Sequence, residues 1–350
     1  MEENPRHRRQ GGGAKLRPRG EQSSHSRRAR RDSRNLTKSE GAKSTHVHNG
    51  WDNSLEPVLE IHPGDTIELE IVDASGGQLD KRSQASDIAG LDFSRVNPLT
   101  GPVHVRGARP GDVLEVEILE LSVKDWGWTA LIPGFGLLAN EFPEPYLKIW
   151  ELEPGSREVA FGDGISIPVN LFPGTIGVAP AQDGPHSIVP PRSCGGNMDI
   201  RHLTAGTTLY LPVQVPGALF SAGDTHVAQG DGEVCGTAIE SGMTLAVRLG
   251  LRRDFAVAQP QYMIPGPLHS GSDRRGYFVT TGIHEDLMEA VRMAVRAMIR
   301  HLGERHEMTE QEAYALASVA VDLKINEVVD APNWVVSAFL PQSIFRDGRG

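Results

Sequence analysis

A chain of 350 residues, 39% of them hydrophobic, is long enough to bury a sizeable core in one large domain or two intimate ones. Its formal charge of −10 is unevenly spread: residues 1–45 carry 13 Lys/Arg against 5 Asp/Glu, and the remainder carries 22 against 40. So acidic a body repels nucleic acid and anionic lipid, which excludes both as partners of the folded part and leaves a small ligand, uncharged or cationic.

The basic arm, from Arg6-His7-Arg8-Arg9 to Arg27-Arg28-Ala29-Arg30-Arg31, holds almost no apolar residue, so it cannot pack and is expected to be disordered over 1–45. No apolar stretch follows its arginines as a secretory signal requires, and no run approaches the roughly 18 apolar residues of a membrane span. A cytoplasmic protein that does not enter membranes is the expectation. The two cysteines, Cys194 and Cys235, are too few for a disulfide scaffold and fit a reducing compartment.

The body opens on a repeat. Pro63-Gly64-Asp65-Thr66-Ile67-Glu68-Leu69-Glu70-Ile71-Val72 recurs as Pro110-Gly111-Asp112-Val113-Leu114-Glu115-Val116-Glu117-Ile118-Leu119, identical at six of ten positions. Apolar residues alternate with glutamates in both copies, the period-two pattern of half-buried antiparallel strands behind a Pro-Gly turn. Further strands are expected at Ile165–Val169, Gly206–Val213 and Met243–Leu249, with 39 glycines and 24 prolines punctuating the turns. This predicts a sandwich or barrel-like antiparallel core over 46–276.

From Tyr277 the pattern changes. Tyr277–Ile283 reads as a strand, and Leu287, Met288, Val291, Val295, Met298 and Leu302 then recur at helical spacing. Thr309, with Glu312 three residues later, opens a second helix through a capping box, and Leu316, Val319, Ala320 and Leu323 continue its apolar stripe. Strands return near Lys324–Val329 and Trp334–Leu340. Residues 277–350 are therefore expected to form a strand-helix-helix-strand unit packed on the core, giving a β-rich α+β fold. Met288, Met293 and Met298 read as core filler.

The chemistry concentrates between Gly223 and Glu240. On an extended strand Asp224 and His226, two apart, face the same way. The turn at Asp231-Gly232 lets the following segment fold back and bring the Glu240 carboxylate beside them. One imidazole among carboxylates suits zinc or another divalent ion, and an open coordination position makes such an ion hydrolytic. The alternative is that Asp224 and Asp231 serve turns and His226 is an ordinary half-buried histidine. Cys235 lies in a strand-like run, where inert packing is expected of it.

Asn97-Pro98-Leu99-Thr100-Gly101-Pro102-Val103, Ile132-Pro133-Gly134-Phe135-Gly136, Gly195-Gly196-Asn197-Met198-Asp199 and the Gly223–Glu240 block, in that order, resemble the acetamidase/formamidase family from about Val47 to Leu340. The resemblance implies a cytoplasmic, β-rich, metal-containing hydrolase that releases ammonia from short aliphatic amides such as formamide and acetamide by means of a metal-activated water. It sets the metal, zinc foremost, on Asp224 and His226, with Asp199 and Glu240 completing or bridging the site and His48 as a further candidate ligand. A surface histidine leading into the first strand is the other reading of His48. Glu240 and Asp73 are the candidate catalytic acids, and Gln78, Asn197 and Trp128 the candidate amide-binding residues. For Asp73 and Gln78 the competing role is capping a turn at the end of the first repeat strand; Trp128 and the Ile132–Leu138 loop either wall a pocket or bury a subunit contact. The expected partners are a small neutral amide and, as a homo-oligomer, further copies of the chain. The rival readings are a thiol hydrolase using Cys235 or Cys194, and a non-catalytic β-sandwich binding module.

Overall fold

The computed structural model describes residues 40–264, 275–327 and 334–346. The basic arm up to residue 39 falls outside them. Its last part, Glu40–Ala42, is an edge strand running parallel to Thr66–Ile71.

Two six-stranded sheets carry the core. In the first, the order is Glu40–Ala42, Thr66–Ile71, Met243–Arg252, Val113–Val123, Thr208–Pro212 and Gln261–Met263. The two copies of the sequence repeat therefore flank one shared partner: Leu245 pairs with Leu69 on one side and Leu121 on the other, and Val247 with Ile67 and Ile118. The alternation explains the arrangement, because Ile67, Leu69, Ile71, Leu114, Val116 and Ile118 are buried on one face while Glu68 reaches solvent on the other. The second sheet runs Gly195–Asn197, Phe172–Val178, Phe220–His226, Leu99–Val105 and Val47–His48, with Leu59–Ile61 also paired, in parallel, to Leu99–Val105. Ile176, Val178, Phe220, Ala222 and Val103 of this sheet pack in one cluster with the inner face of the first. The sheets have free edges among the described residues, so the core is an open sandwich rather than a closed barrel.

The C-terminal unit is an antiparallel sheet of Tyr277–His284, Trp334–Pro341 and Asp322–Glu327 beside helices Leu287–His306 and Glu310–Ala320. Asp286 caps the first helix by accepting from Glu289 N at 2.8 Å, and Thr309 with Glu312 forms the expected capping box on the second. Ala290, Ala294, Val295, Met298 and Leu302 are the buried stripe of the first helix. Of the three methionines expected as filler only Met298 is buried; Met288 and Met293 are exposed, because they lie off that stripe.

The second helix also grips the segment that follows Phe220–His226. Gly230 N donates to Ser318 O at 2.8 Å, Cys235 N to Ser318 Oγ at 3.3 Å, and the Tyr314 hydroxyl to Val234 O. Leu138 N donates to the same Tyr314 oxygen at 2.8 Å, so one phenol ties the Ile132–Leu138 loop to the 229–237 segment.

Candidate active site

Strand pairing builds the site. His226 ends the strand Phe220–His226, and the chain then loops through 227–239 and returns so that Glu240 stands opposite His226 in an antiparallel bridge. Glu240 is gripped from its other side by Trp128: Trp128 N donates to Glu240 O at 2.9 Å, and Glu240 N to Trp128 O at 2.8 Å. His226 Nε2 lies 3.1 Å from Glu240 Oε2 and 3.3 Å from Asp224 Oδ1. These three residues form one group of potential ligand atoms within 4.8 Å of one another, and Asp199, His226 and Glu233 form a second. Four carboxylates thus surround one imidazole.

Three of the four acids sit in left-handed backbone, Asp199 at φ 49°, Asp224 at φ 52° and Glu233 at φ 42°. Asp tolerates that region and Glu does so poorly, so the chain bears strain to aim these side chains at a common point. Gly174 on the neighbouring strand is equally constrained. A Cβ there would stand 2.6 Å from Asp199 Oδ1 and 2.7 Å from His226 Cε1, so only glycine leaves the acids and ring room to converge.

The electrostatics follow from burial. Asp224, His226 and Glu240 are almost wholly withdrawn from water, Asp199 and Glu233 partly so. Burial, reinforced by the Asp224 charge, pushes Asp199 up to about 7, and burial pushes Glu240 up to about 6. Glu233 is driven well above the usual carboxylate range by burial and then by Asp199. Burial disfavours a charged His226, but Glu240 and Asp224 outweigh it and hold the ring well above its ordinary value.

Asp199 Oδ1, His226 Nε2 and Glu240 Oε2 are all buried without a hydrogen bond; the two last are close, but out of line. A buried polar atom without a partner is costly, and three so near one another mark a candidate cation site. The residues fit a divalent ion held by Asp199, Asp224, His226 and Glu240, with Glu233 beside them. One imidazole among carboxylates admits zinc and harder divalent ions alike.

These groups open onto a cavity of 190 Å³ whose wall includes Asp224, Glu233 and Glu240 together with Asn197, Trp128, Ser75 and several apolar side chains. Trp128 and Asn197, expected at the substrate, line it, and Thr175 Oγ1 donates to Asn197 Oδ1 at 2.6 Å while lying 3.2 Å from Asp224 Oδ2.

Three of the expected site residues stand apart from the cluster and the cavity wall. Asp73 is buried behind the wall rather than on it, its Oδ1 accepting from Ser75 N at 2.9 Å, Ser75 Oγ at 2.5 Å and Trp128 Nε1 at 3.0 Å, so it aims the indole. Gln78 accepts from Asp92 N at 2.8 Å and donates to Ser75 O and Asp92 O, bracing the loop that leads to Phe93. His48 is engaged at 2.7 Å with Gly50 O and at 2.9 Å with Ser221 Oγ, and it joins neither ligand group. Two residues that sequence reasoning missed are Glu233 and Gln229. Glu233 directly follows the Asp231-Gly232 turn, where an acid reads as ordinary loop polarity; Gln229 carries no spacing signal.

Neither cysteine lines the cavity. Cys235 packs its sulfur against Ala130 O and Thr237, and burial pushes its thiol up to about 11; burial raises Cys194 as well. The geometry thus offers a thiol mechanism no nucleophile.

The acetamidase/formamidase family profile matches residues 33–188 and 181–347. The chain belongs to that family. It is 28% identical to a formamidase of Methylophilus methylotrophus, over 89% of this chain and 92% of that protein. With an acetamidase of Mycolicibacterium smegmatis it shares 27% identity over 64% of this chain and 72% of the relative. Among solved structures, a γ-lactamase from Delftia acidovorans superposes with a TM-score of 0.78 at 27% identity, covering 87% of this chain and 90% of the other. An acetamidase from Bacillus halodurans gives 0.62 at 31% identity, covering 87% and 98%.

Proposed function

We propose that this family member hydrolyses short aliphatic amides to the carboxylate and ammonia at the Asp199/Asp224/His226/Glu240 cluster, with a divalent cation as cofactor. The observation that carries the reading is the gathering of unpartnered buried ligand atoms of Asp199, His226 and Glu240 in two ligand groups that share His226, beside a small cavity that Asp224, Glu233 and Glu240 line. Formamidase and acetamidase relatives supply the substrate class. When bound, a divalent cation supplies the Lewis acidity that an unreactive amide carbonyl needs and lowers the pKa of water beside it.

The chain's own groups provide the rest. A carboxylate poised near neutrality both takes a proton from water and returns one to a leaving amine. Glu233 reaches the cavity beside the four ligating groups, and burial raises its affinity for a proton, so we assign that transfer to Glu233. Asn197 and Trp128 orient the amide. Two unpaired, buried cysteines are in keeping with a cytoplasmic setting.

The test is ammonia release from a panel of amides by protein of assayed metal content, before and after chelation. Activity that disappears with chelator and returns with one divalent ion supports the reading; undiminished turnover in metal-free protein overturns it. The higher TM-score with the γ-lactamase favours a second reading, cleavage of cyclic amides, which the same panel tests by including a lactam.

A further inference from the structure

Only part of the cavity is polar, and the apolar part is larger than the smallest amides require. At the buried end stand Asp224 and Glu240, with relative exposures of 4% and 2%. At the mouth stand Phe93, Phe135 and Val189, exposed at 57%, 45% and 46%, with Leu91, Ile132 and Trp128 completing the apolar wall. Large apolar side chains left open together on a monomer mark a surface that receives something apolar.

The mouth is built rather than incidental. Phe135 lies on a loop locked to the acid-bearing segment: Leu137 N donates to Val234 O at 2.9 Å, and a Cβ at Gly236 would fall 2.5 Å from the Phe135 ring. Phe93 is set by the Asp92 turn, which Gln78 braces through both of its amide atoms. The backbone that carries each ring is therefore tethered close to the carboxylates, which gives the pocket a defined mouth.

We infer that the cavity takes an amide with an apolar acyl group of about four or five carbons, its carbonyl at the carboxylate cluster and its hydrocarbon along Leu91, Phe93, Phe135 and Val189. The inference rests on the hydrolase reading for the chemistry at the carbonyl. The volume points the same way: a cavity of 190 Å³ holds several water-sized groups and has room beyond what formamide, with three heavy atoms, fills. A formamide or acetamide bound there leaves the apolar wall wet. Each further methylene that covers the wall raises kcat/KM by about fourfold until the cavity is full. Polar or charged acyl groups lose this gain.

The experiment uses metal-loaded protein and two homologous series, the primary amides from formamide to hexanamide and the matching carboxylates. kcat/KM is measured for the amides and calorimetric affinity for the carboxylates. Both are expected to climb about fourfold per carbon to butyramide or valeramide and their acids, then to fall. Phe135→Ala is expected to flatten the climb. Highest kcat/KM with formamide or acetamide overturns the inference and leaves the hydrolase standing. Carboxylate affinity that climbs while no amide is cleaved supports the acyl pocket and sinks the hydrolase reading. Carboxylate affinity independent of chain length overturns the pocket.

Discussion

The carboxamide of Gln229 stands between His226 and Asp199: its Nε2 donates to the Asp199 carbonyl at 3.0 Å, and its Oε1 lies 2.9 Å from His226 Nδ1. The first bond fixes which end of the amide faces the ring, so Oε1 must accept and Nδ1 must carry the hydrogen. The other nitrogen, Nε2, is then the one that faces Asp224 and Glu240, whose charges favour a proton on it; a cation would displace that proton to take the lone pair. Gln229→Leu is expected to weaken cation affinity by about 10- to 100-fold while the protein stays folded. Calorimetric titration of the chelated variant measures this, and an affinity equal to the parent's would show that the glutamine is idle.

Removing ligands should be more drastic than mis-aiming one. His226→Ala deletes, and Asp224→Asn weakens, a donor of the candidate ligand group that Asp224, His226 and Glu240 form. Both variants are expected to lose bound cation and ammonia release together while far-UV circular dichroism keeps the β signal. Retained metal with normal turnover in either would show that the ion sits elsewhere.

Besides Ser318 and Tyr314, the C-terminal unit reaches the site through a carboxylate. Asp322 accepts from Asp231 N at 3.1 Å and from the Arg201 guanidinium, joining the loop that bears Asp199 to the loop that bears Glu233. Because the pair is about four-fifths buried, losing one partner leaves the other poorly solvated. Asp322→Ala is expected to cost about 1–3 kcal/mol of stability and to loosen cation binding as well. Denaturant unfolding with a parallel metal titration decides it: a stability loss with unchanged cation affinity would confine Asp322 to a structural role.

How legible all this was depends on whether a feature has a period. The flanking repeat strands and the capped helices announced themselves because alternation and capping boxes are local patterns that tertiary contacts then reinforce. Asp224, His226 and Glu240 were readable because a strand and its return are enough to bring them together. Asp73 and Gln78 were harder to read for the opposite reason. Strand-end polar residues look like substrate contacts, yet the Trp128 indole and the Asp92 turn, remote in sequence, consume them. Glu233 and Gln229 had no pattern at all, since their positions depend on the long-range grip of Ser318 and Tyr314 on their loop.

The cysteines give the last prediction. Burial holds Cys235 at about 11 and raises Cys194, so near neutral pH the Cys235 thiolate is on the order of one molecule in several thousand. Iodoacetamide applied to folded protein should leave activity intact, and Cys235→Ala should keep most of kcat while costing about 1 kcal/mol from the small void. The same burial makes an alkaline signature. The folded thiol binds its proton more tightly than the unfolded one, with an ordinary value of 9.0, so its contribution is full below pH 9 and is lost as the pH rises toward about 11. In Cys235→Ala that share of the alkaline loss should vanish, which unfolding midpoints taken from pH 8 to 11 would reveal. A collapse of kcat in folded, metal-loaded Cys235→Ala would instead assign the chemistry to the thiol.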